Sequence, residues 1–243
     1  MSEKDIIKKQ TYRTQCLFKF GEKEHMQALY EKGEIHCRTF EYFKNLEDNG
    51  DGRADKNEYL TSYYAGSAID DNISITLTVC KKEGQYNIPL TRKDGLQFFK
   101  MECSQKEFSH LYCLSVFEIG FVKQKDGYLL EQFSFDERNT YGDKKWAIII
   151  YNPERFFKKI DQSLRKKVCF GRRGFVNYID KNNYAGEMGC FKKFDDYAYQ
   201  SEYRIAINNP NEVDWFNFHI GSLSDIALPP MDISQFLGGV TNE

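Results

Sequence analysis

Two rhythms of hydrophobic and polar residues run along this chain. Positions alternate strictly in Ile73–Val79, in Ile35, Cys37 and Thr39, and most clearly in Tyr199–Ile207. Alternation places successive side chains on opposite faces of a strand. In the last stretch Tyr199, Tyr203, Ile205 and Ile207 share one side, while Gln200, Glu202 and Arg204 share the other. Short apolar runs at Cys16–Phe20, Leu111–Phe117 and Trp146–Tyr151 predict buried strands. Tyr86–Thr91 returns after a turn at Lys81–Gly84, and its Pro89 predicts an edge strand. Phe175–Ile179 and Trp215–Ile220 complete the predicted strands.

Helical spacing is rarer. Met26, Leu29 and Tyr30 predict a helix over Glu22–Lys32 that stops at Gly33. Asn152-Pro153 opens a second helix with an N-cap followed by proline at its first position. Its core side is Phe156, Phe157, Ile160 and Leu164, and Leu96–Cys103 reads as helical or irregular. Strands dominate and several adjoin by short turns. The expected class is α+β, a single domain over residues 12–243 with a split, mostly antiparallel sheet, preceded by a tail over residues 1–11.

Composition adds boundaries. Hydrophobic residues make up 41% of the 243, enough to build a core. A net charge of −2 gives no global pull towards nucleic acid or anionic membranes, so such contacts need a local patch. The seven cysteines are scattered without a C-x-x-C pair, which argues against a disulfide framework and for a reducing cytoplasm. No run approaches the roughly 20 apolar residues of a membrane span, and Met1–Asp5 lacks the apolar core of a signal peptide.

The chemistry centres on the polar side of Tyr199–Ile207. A Gln-x-Glu pair holds one acid beside a neutral hydrogen-bonding group, which suits reactions at a sugar. Near the other end, Phe18-Lys19-Phe20 carries a lone cation on the first strand of a strand–helix–strand unit, placed to meet a diphosphate. With these stand Glu41-Tyr42-Phe43-Lys44, Tyr112-Cys113-Leu114-Ser115, Gln200-Ser201-Glu202-Tyr203-Arg204 and Ile220-Gly221-Ser222. In these segments, spread over residues 12–228, the chain resembles the ADP-ribosyltransferase-like superfamily, closest to a bacterial toxin and phage-defence branch. Lys19 stands where many relatives carry His or Arg.

The resemblance implies NAD as the donor and a macromolecular acceptor, RNA or DNA ahead of protein. It also implies an inhibitor or antitoxin, should the enzyme be toxic to its own cell. Glu202 would stabilise positive charge developing on the ribose, Gln200 would orient the acceptor, and Ser115 would support Glu202 or the nicotinamide ribose. Lys19, or else Arg13 or Arg38, would hold the diphosphate. His36 lies beside Arg38 where it can contact a nucleotide, and Arg204 either joins the site or forms a plain surface ion pair with Glu202 or a neighbouring carboxylate. A Glu202→Gln exchange should then cost rate and leave folding intact. A binding module without catalysis and an NAD glycohydrolase are the alternatives.

Two further segments carry chemistry. Glu47–Glu58 places Glu47, Asn49, Asp51, Asp55 and Glu58 at positions 1, 3, 5, 9 and 12 of a calcium loop, with Gly52 at position 6. An acidic surface loop is the competing reading. The same segment also reads as a site border, with Arg53 and Asp55 facing ligand. Lys158–Arg173 gathers basic residues around Phe170, with Phe175 just beyond, a composition suited to a nucleic-acid backbone and a stacked base or to a solvated helix end.

Overall fold

The computed structural model describes residues 11–46, 55–68, 75–81, 84–90, 95–103, 107–124, 127–133, 135–139, 145–167, 169–209 and 213–233. The chain opens with strand β1 (Thr11–Gly21), helix α1 (Lys23–Lys32), strand β2 (Glu34–Thr39) and helix α2 (Phe40–Leu46). Next come β3 (Ser62–Ala65), β4 (Ile75–Lys81), β5 (Gly84–Leu90), β6 (Phe98–Met101), β7 (His110–Gln124), β8 (Gly127–Phe133) and β9 (Trp146–Ile150). Helix α3 (Pro153–Lys166) leads into β10 (Phe170–Phe175), β11 (Asn177–Ile179), β12 (Ala185–Glu187) and β13 (Lys192–Phe194). A short 3₁₀ helix (Asp195–Gln200) precedes β14 (Glu202–Asn208), followed by β15 (Trp215–His219) and β16 (Met231–Asp232). The class is α+β, and every strand pairing in the nine-stranded main sheet is antiparallel.

Local rules account for the two longer helices. Gly33 ends α1 with φ 63°, and its N–H reaches the Ala28 and Leu29 carbonyls. A Cβ at Gly33 would lie 2.2 Å from the Gly221 carbonyl oxygen, so the chain also crosses too closely there for any side chain. In α3 the Asn152 side chain accepts a hydrogen bond from the Arg155 N–H. Phe156, Ile160 and Leu164 then bury one stripe of the helix against the sheet.

Several expectations need correcting. Tyr199–Ile207 is not one strand. Its first two residues end a 3₁₀ helix, Ser201 turns the chain at φ 44°, and the strand starts at Glu202. Phe175–Ile179 breaks at Val176 into the end of β10 and a separate β11, which pairs in parallel with β13. Phe98–Met101 forms a strand on β3 rather than a helix. β4 and β5 form the expected hairpin, with Pro89 on a strand that has only β4 beside it among the described residues.

The long strand β7 organises the main sheet. Along one edge, residues 110–115 pair with β14 and residues 119–124 with β8. Along the other, residues 115–122 pair with β1 and residues 110–111 with β2. Between β1 and β2 this second edge forks. The end of β1 peels away to β9, β2 turns to pair with β15, and α1 bridges the two prongs. Among the described residues Tyr112, Cys113 and Leu114 have no strand partner on the forked side.

Candidate functional site

A cavity of about 700 Å³ opens at this fork. Its walls come from the end of β1, the inner side of α1, the β2–β15 ribbon, the exposed edge of β7 and a group of charged side chains around β14. Lys19 reaches into the fork from β1. Its Nζ donates to the unpaired carbonyl of Cys113 at 2.8 Å and lies 4.5 Å from the centre of the Tyr112 ring.

The charged group is the chemical centre. Arg204 is 0% exposed, with a side chain fully enclosed. Its two terminal nitrogens meet both carboxylate oxygens of Glu58, at 2.7 and 2.8 Å. One of them also donates to the Cys190 carbonyl at 2.7 Å, and Nε donates to Glu202 Oε2 at 3.0 Å. Nη2 also lies 3.0 Å from Glu202 Oε2 as an ion-pair contact. Arg204 is thus held between two carboxylates and a backbone carbonyl, and its ion pairs are buried rather than exposed. The expected pairing with Glu202 or a neighbouring carboxylate is present with both Glu202 and Glu58, but it is buried rather than at the surface.

Lys193 is the second buried cation. Its Nζ donates to Gln200 Oε1 at 2.8 Å and lies 3.4 Å from Glu202 Oε2 and 3.8 Å from Glu58 Oε2. Burial alone would push the Glu202 carboxyl up, but the Arg204 guanidinium and then the Lys193 ammonium outweigh it and hold it at about 2. Glu202 is thus ionised throughout the physiological range. Among the described residues its cationic partners all meet Oε2, which leaves Oε1 for a ligand in the cavity that Glu202 lines. The Glu202 N–H donates to the Tyr178 hydroxyl oxygen at 2.9 Å.

The fold brings together several residues singled out from sequence. Ser115 sits directly opposite Glu202 across β7 and β14, and both line the cavity. Opposed residues in such a ladder have Cβ atoms roughly 5 Å apart. Gln200 also lines the cavity, delivered by the Ser201 turn and its bond to Lys193 rather than by strand alternation. His36 and Arg38 share the polar face of β2. His36 bonds the Asn217 Oδ1 at 2.5 Å, and the Arg38 guanidinium lies over the Tyr42 ring at 4.5 Å. Arg13 belongs elsewhere. It stands opposite Gly120, six residues before Lys19 on the same strand, or about 20 Å away.

The calcium reading fails on Glu58. Its carboxylate, the position-12 ligand of that loop, is chelated by Arg204, and Asp55 is buried with one oxygen accepting the Asn57 N–H at 2.8 Å. Glu47, Asn49, Asp51 and Arg53 lie outside the described residues. Burial, then the neighbouring Glu58 charge, raises the Asp55 carboxyl to about 6. In the basic segment, Arg172 pairs with Glu107 at 3.5 Å and Arg173 with Asp161 at 2.5 Å. None of its described residues lines the cavity.

Sequence patterns gave no sign of Lys193, which follows Lys192 like a surface pair, nor of Trp215 as a cavity residue. Glu58 was visible only as part of the acidic loop. The signal that points to it is indirect: an arginine on a half-apolar strand that faces inward requires an acid, and the chain contains 36 acidic residues. Among the described residues Cys16, Cys37, Cys103, Cys113, Cys169 and Cys190 are free thiols. Among the described residues no helix is long and apolar enough to cross a membrane. Comparisons of the chain with protein families, curated proteins and solved structures find no match.

Proposed function

We propose that this protein is an NAD-dependent ADP-ribosyltransferase acting on a macromolecule, nucleic acid ahead of protein. The observation that carries the reading is the placement of Glu202, whose cationic contacts among the described residues all fall on Oε2, beside Ser115 in a fork-shaped cavity. A cavity of about 700 Å³ lies within the range of small-molecule and cofactor sites. When the bond between nicotinamide and ribose breaks, nicotinamide leaves as a neutral molecule and positive charge develops on the sugar. A fixed carboxylate favours that charge, and its hydrogen bonds to ribose hydroxyls strengthen as the charge grows. The acceptor then attacks the sugar carbon and gives up a proton. Lys19 and Arg38, on the two prongs of the fork, supply cations for the diphosphate. A cytoplasmic setting as a toxin or phage-defence effector accords with this chemistry.

One observation favours a second reading, a binding module without catalysis. Glu202 is ion-paired with Arg204 and Lys193, a position in which it can serve as a strut alone. Incubating the protein with labelled NAD and a cell lysate separates the two. Transfer predicts label in the RNA or DNA fraction together with released nicotinamide. Nicotinamide without label means a glycohydrolase, and NAD left intact by the wild-type protein would remove the enzyme reading altogether.

A further inference from the structure

The β2–β15 ribbon has two unlike faces. Ile35, Cys37 and Phe218 pack into the main core with Phe216 against it, while Glu34, His36, Arg38, Trp215 and Asn217 line the cavity. Register opposes Trp215 to Arg38 and Asn217 to His36. Opposed residues share a face, and through Arg38↔Leu111 and Leu111↔Ala206 that face is the one bearing Glu202. Trp215 lies three strand spacings from β14, about 14 Å across the sheet. It is 51% exposed although it lines a cavity. His36 stacks on it with ring centroids 5.7 Å apart and planes 23° from parallel. The bond from His36 to Asn217, and that from Asn217 Nδ2 to Glu34 Oε1 at 3.0 Å, hold the imidazole in place.

We propose that this wall is a nucleobase-stacking subsite, in which a planar heteroaromatic ring continues the His36–Trp215 stack and Arg38 faces the attached phosphate. A ring already backed by a second aromatic presents a flat surface at little cost in rotamer freedom, and every nucleobase offers a matching π-face. The polar and charged groups of the wall, Arg38 above all, suit a base and its phosphate better than an apolar partner, which would strip their solvation without replacing it. The subsite rests on reading the cavity as a nucleotide site, and it places nucleobase contact in the cavity rather than on the basic segment 158–173, none of whose described residues lines it. Two sources of the base share this chemistry: the adenine of a dinucleotide and an unpaired base of a nucleic-acid strand.

The test uses binding alone, so it does not depend on turnover. In a Trp146→Phe background, which leaves Trp215 as the one tryptophan, AMP should quench the emission saturably, and ribose 5-phosphate, which lacks the base, should not. Trp215→Ala should weaken AMP binding, measured by calorimetry, roughly five- to hundredfold, with Trp215→Phe retaining most of it. His36→Ala, which removes only the second ring, should weaken it less. Competition by NAD or by a single-stranded oligoadenylate then identifies the source of the base. Absence of AMP binding, equal quenching by ribose 5-phosphate, or unchanged affinity in Trp215→Ala overturns the subsite. Turnover of NAD without base stacking would spare the transferase reading, and stacking without turnover would spare the subsite.

Discussion

Glu202 shows how one residue can hold two roles that sequence presents as one. Its carboxylate faces the cavity, and the same group neutralises Arg204 and Lys193 inside the protein. A Glu202→Gln exchange is therefore not silent for folding, contrary to the expectation from sequence. NAD consumption should fall a hundredfold or more, while unfolding by urea should show a loss of about 1–3 kcal/mol. Glu58→Gln removes the bidentate partner of a fully buried guanidinium and should cost more, about 3–5 kcal/mol. Equal or inverted losses in the two variants would mean that Arg204 does not depend on Glu58 as its geometry indicates. Lys19 could be singled out from its place on a first strand. Arg13 met the same chemical criterion but not the distance, which only strand register supplies.

At the scale of elements, two backbone positions decide where the site residues go. Ser201, at φ 44°, separates the 3₁₀ helix from β14 and so sets Gln200 and Glu202 at their present angle. Its carbonyl accepts the Val116 N–H at 2.8 Å, which locks the turn onto β7. Ser201→Gly should keep or slightly raise stability, since glycine adopts this conformation freely, whereas Ser201→Val should lose about 1–2 kcal/mol. Thermal melting of the pair would show it, and a stable valine variant would mean that the turn is not strained. Gly33 is the clearer case. Alanine there meets both positive φ and the Gly221 backbone, so Gly33→Ala should destabilise by about 2–3 kcal/mol and loosen the α1 bridge across the fork. The helix stop at Gly33 was legible because capping is local. The break at Ser201 was not, because serine carries no positional signal for a left-handed turn and the alternation continued straight through it.

Across the whole molecule, folding gathers Asp55, Glu58, Lys193, Glu202 and Arg204 into one buried group, and pH should report on it. Asp55, raised to about 6, contributes stability that is full below its ordinary value of 3.8 and is lost as pH rises through about 6. Glu202, lowered to about 2, contributes stability that is present above its ordinary 4.5 and is lost as pH falls towards 2. The maximum should lie in mildly acid solution. Between pH 5 and 7.5 the Asp55 loss is worth about 1.4 kcal/mol, or roughly 3 °C in Tm. Asp55→Asn, which keeps an acceptor for the Asn57 N–H, should flatten that slope. Parallel melting curves for wild type and variant would mean that Asp55 is not the group titrating.

Sequence alone determined the pieces whose causes are local: the β1–α1–β2 unit, the capped α3 helix, the strand content and the core side of β14. Each follows from side-chain periodicity or from backbone groups satisfied within a few residues. The tertiary structure decided what those pieces make. Glu58 and Arg204 are 146 positions apart, and no short-range pattern selects that acid from the others. The fork in β7 arises where β1 and β2 leave its edge for different partners, a choice between pairings distant in the chain. A buried charge needs a counter-charge, but which group supplies it depends on where the backbone brings one. That is why Glu202 was visible in the sequence, and the cavity around it was not.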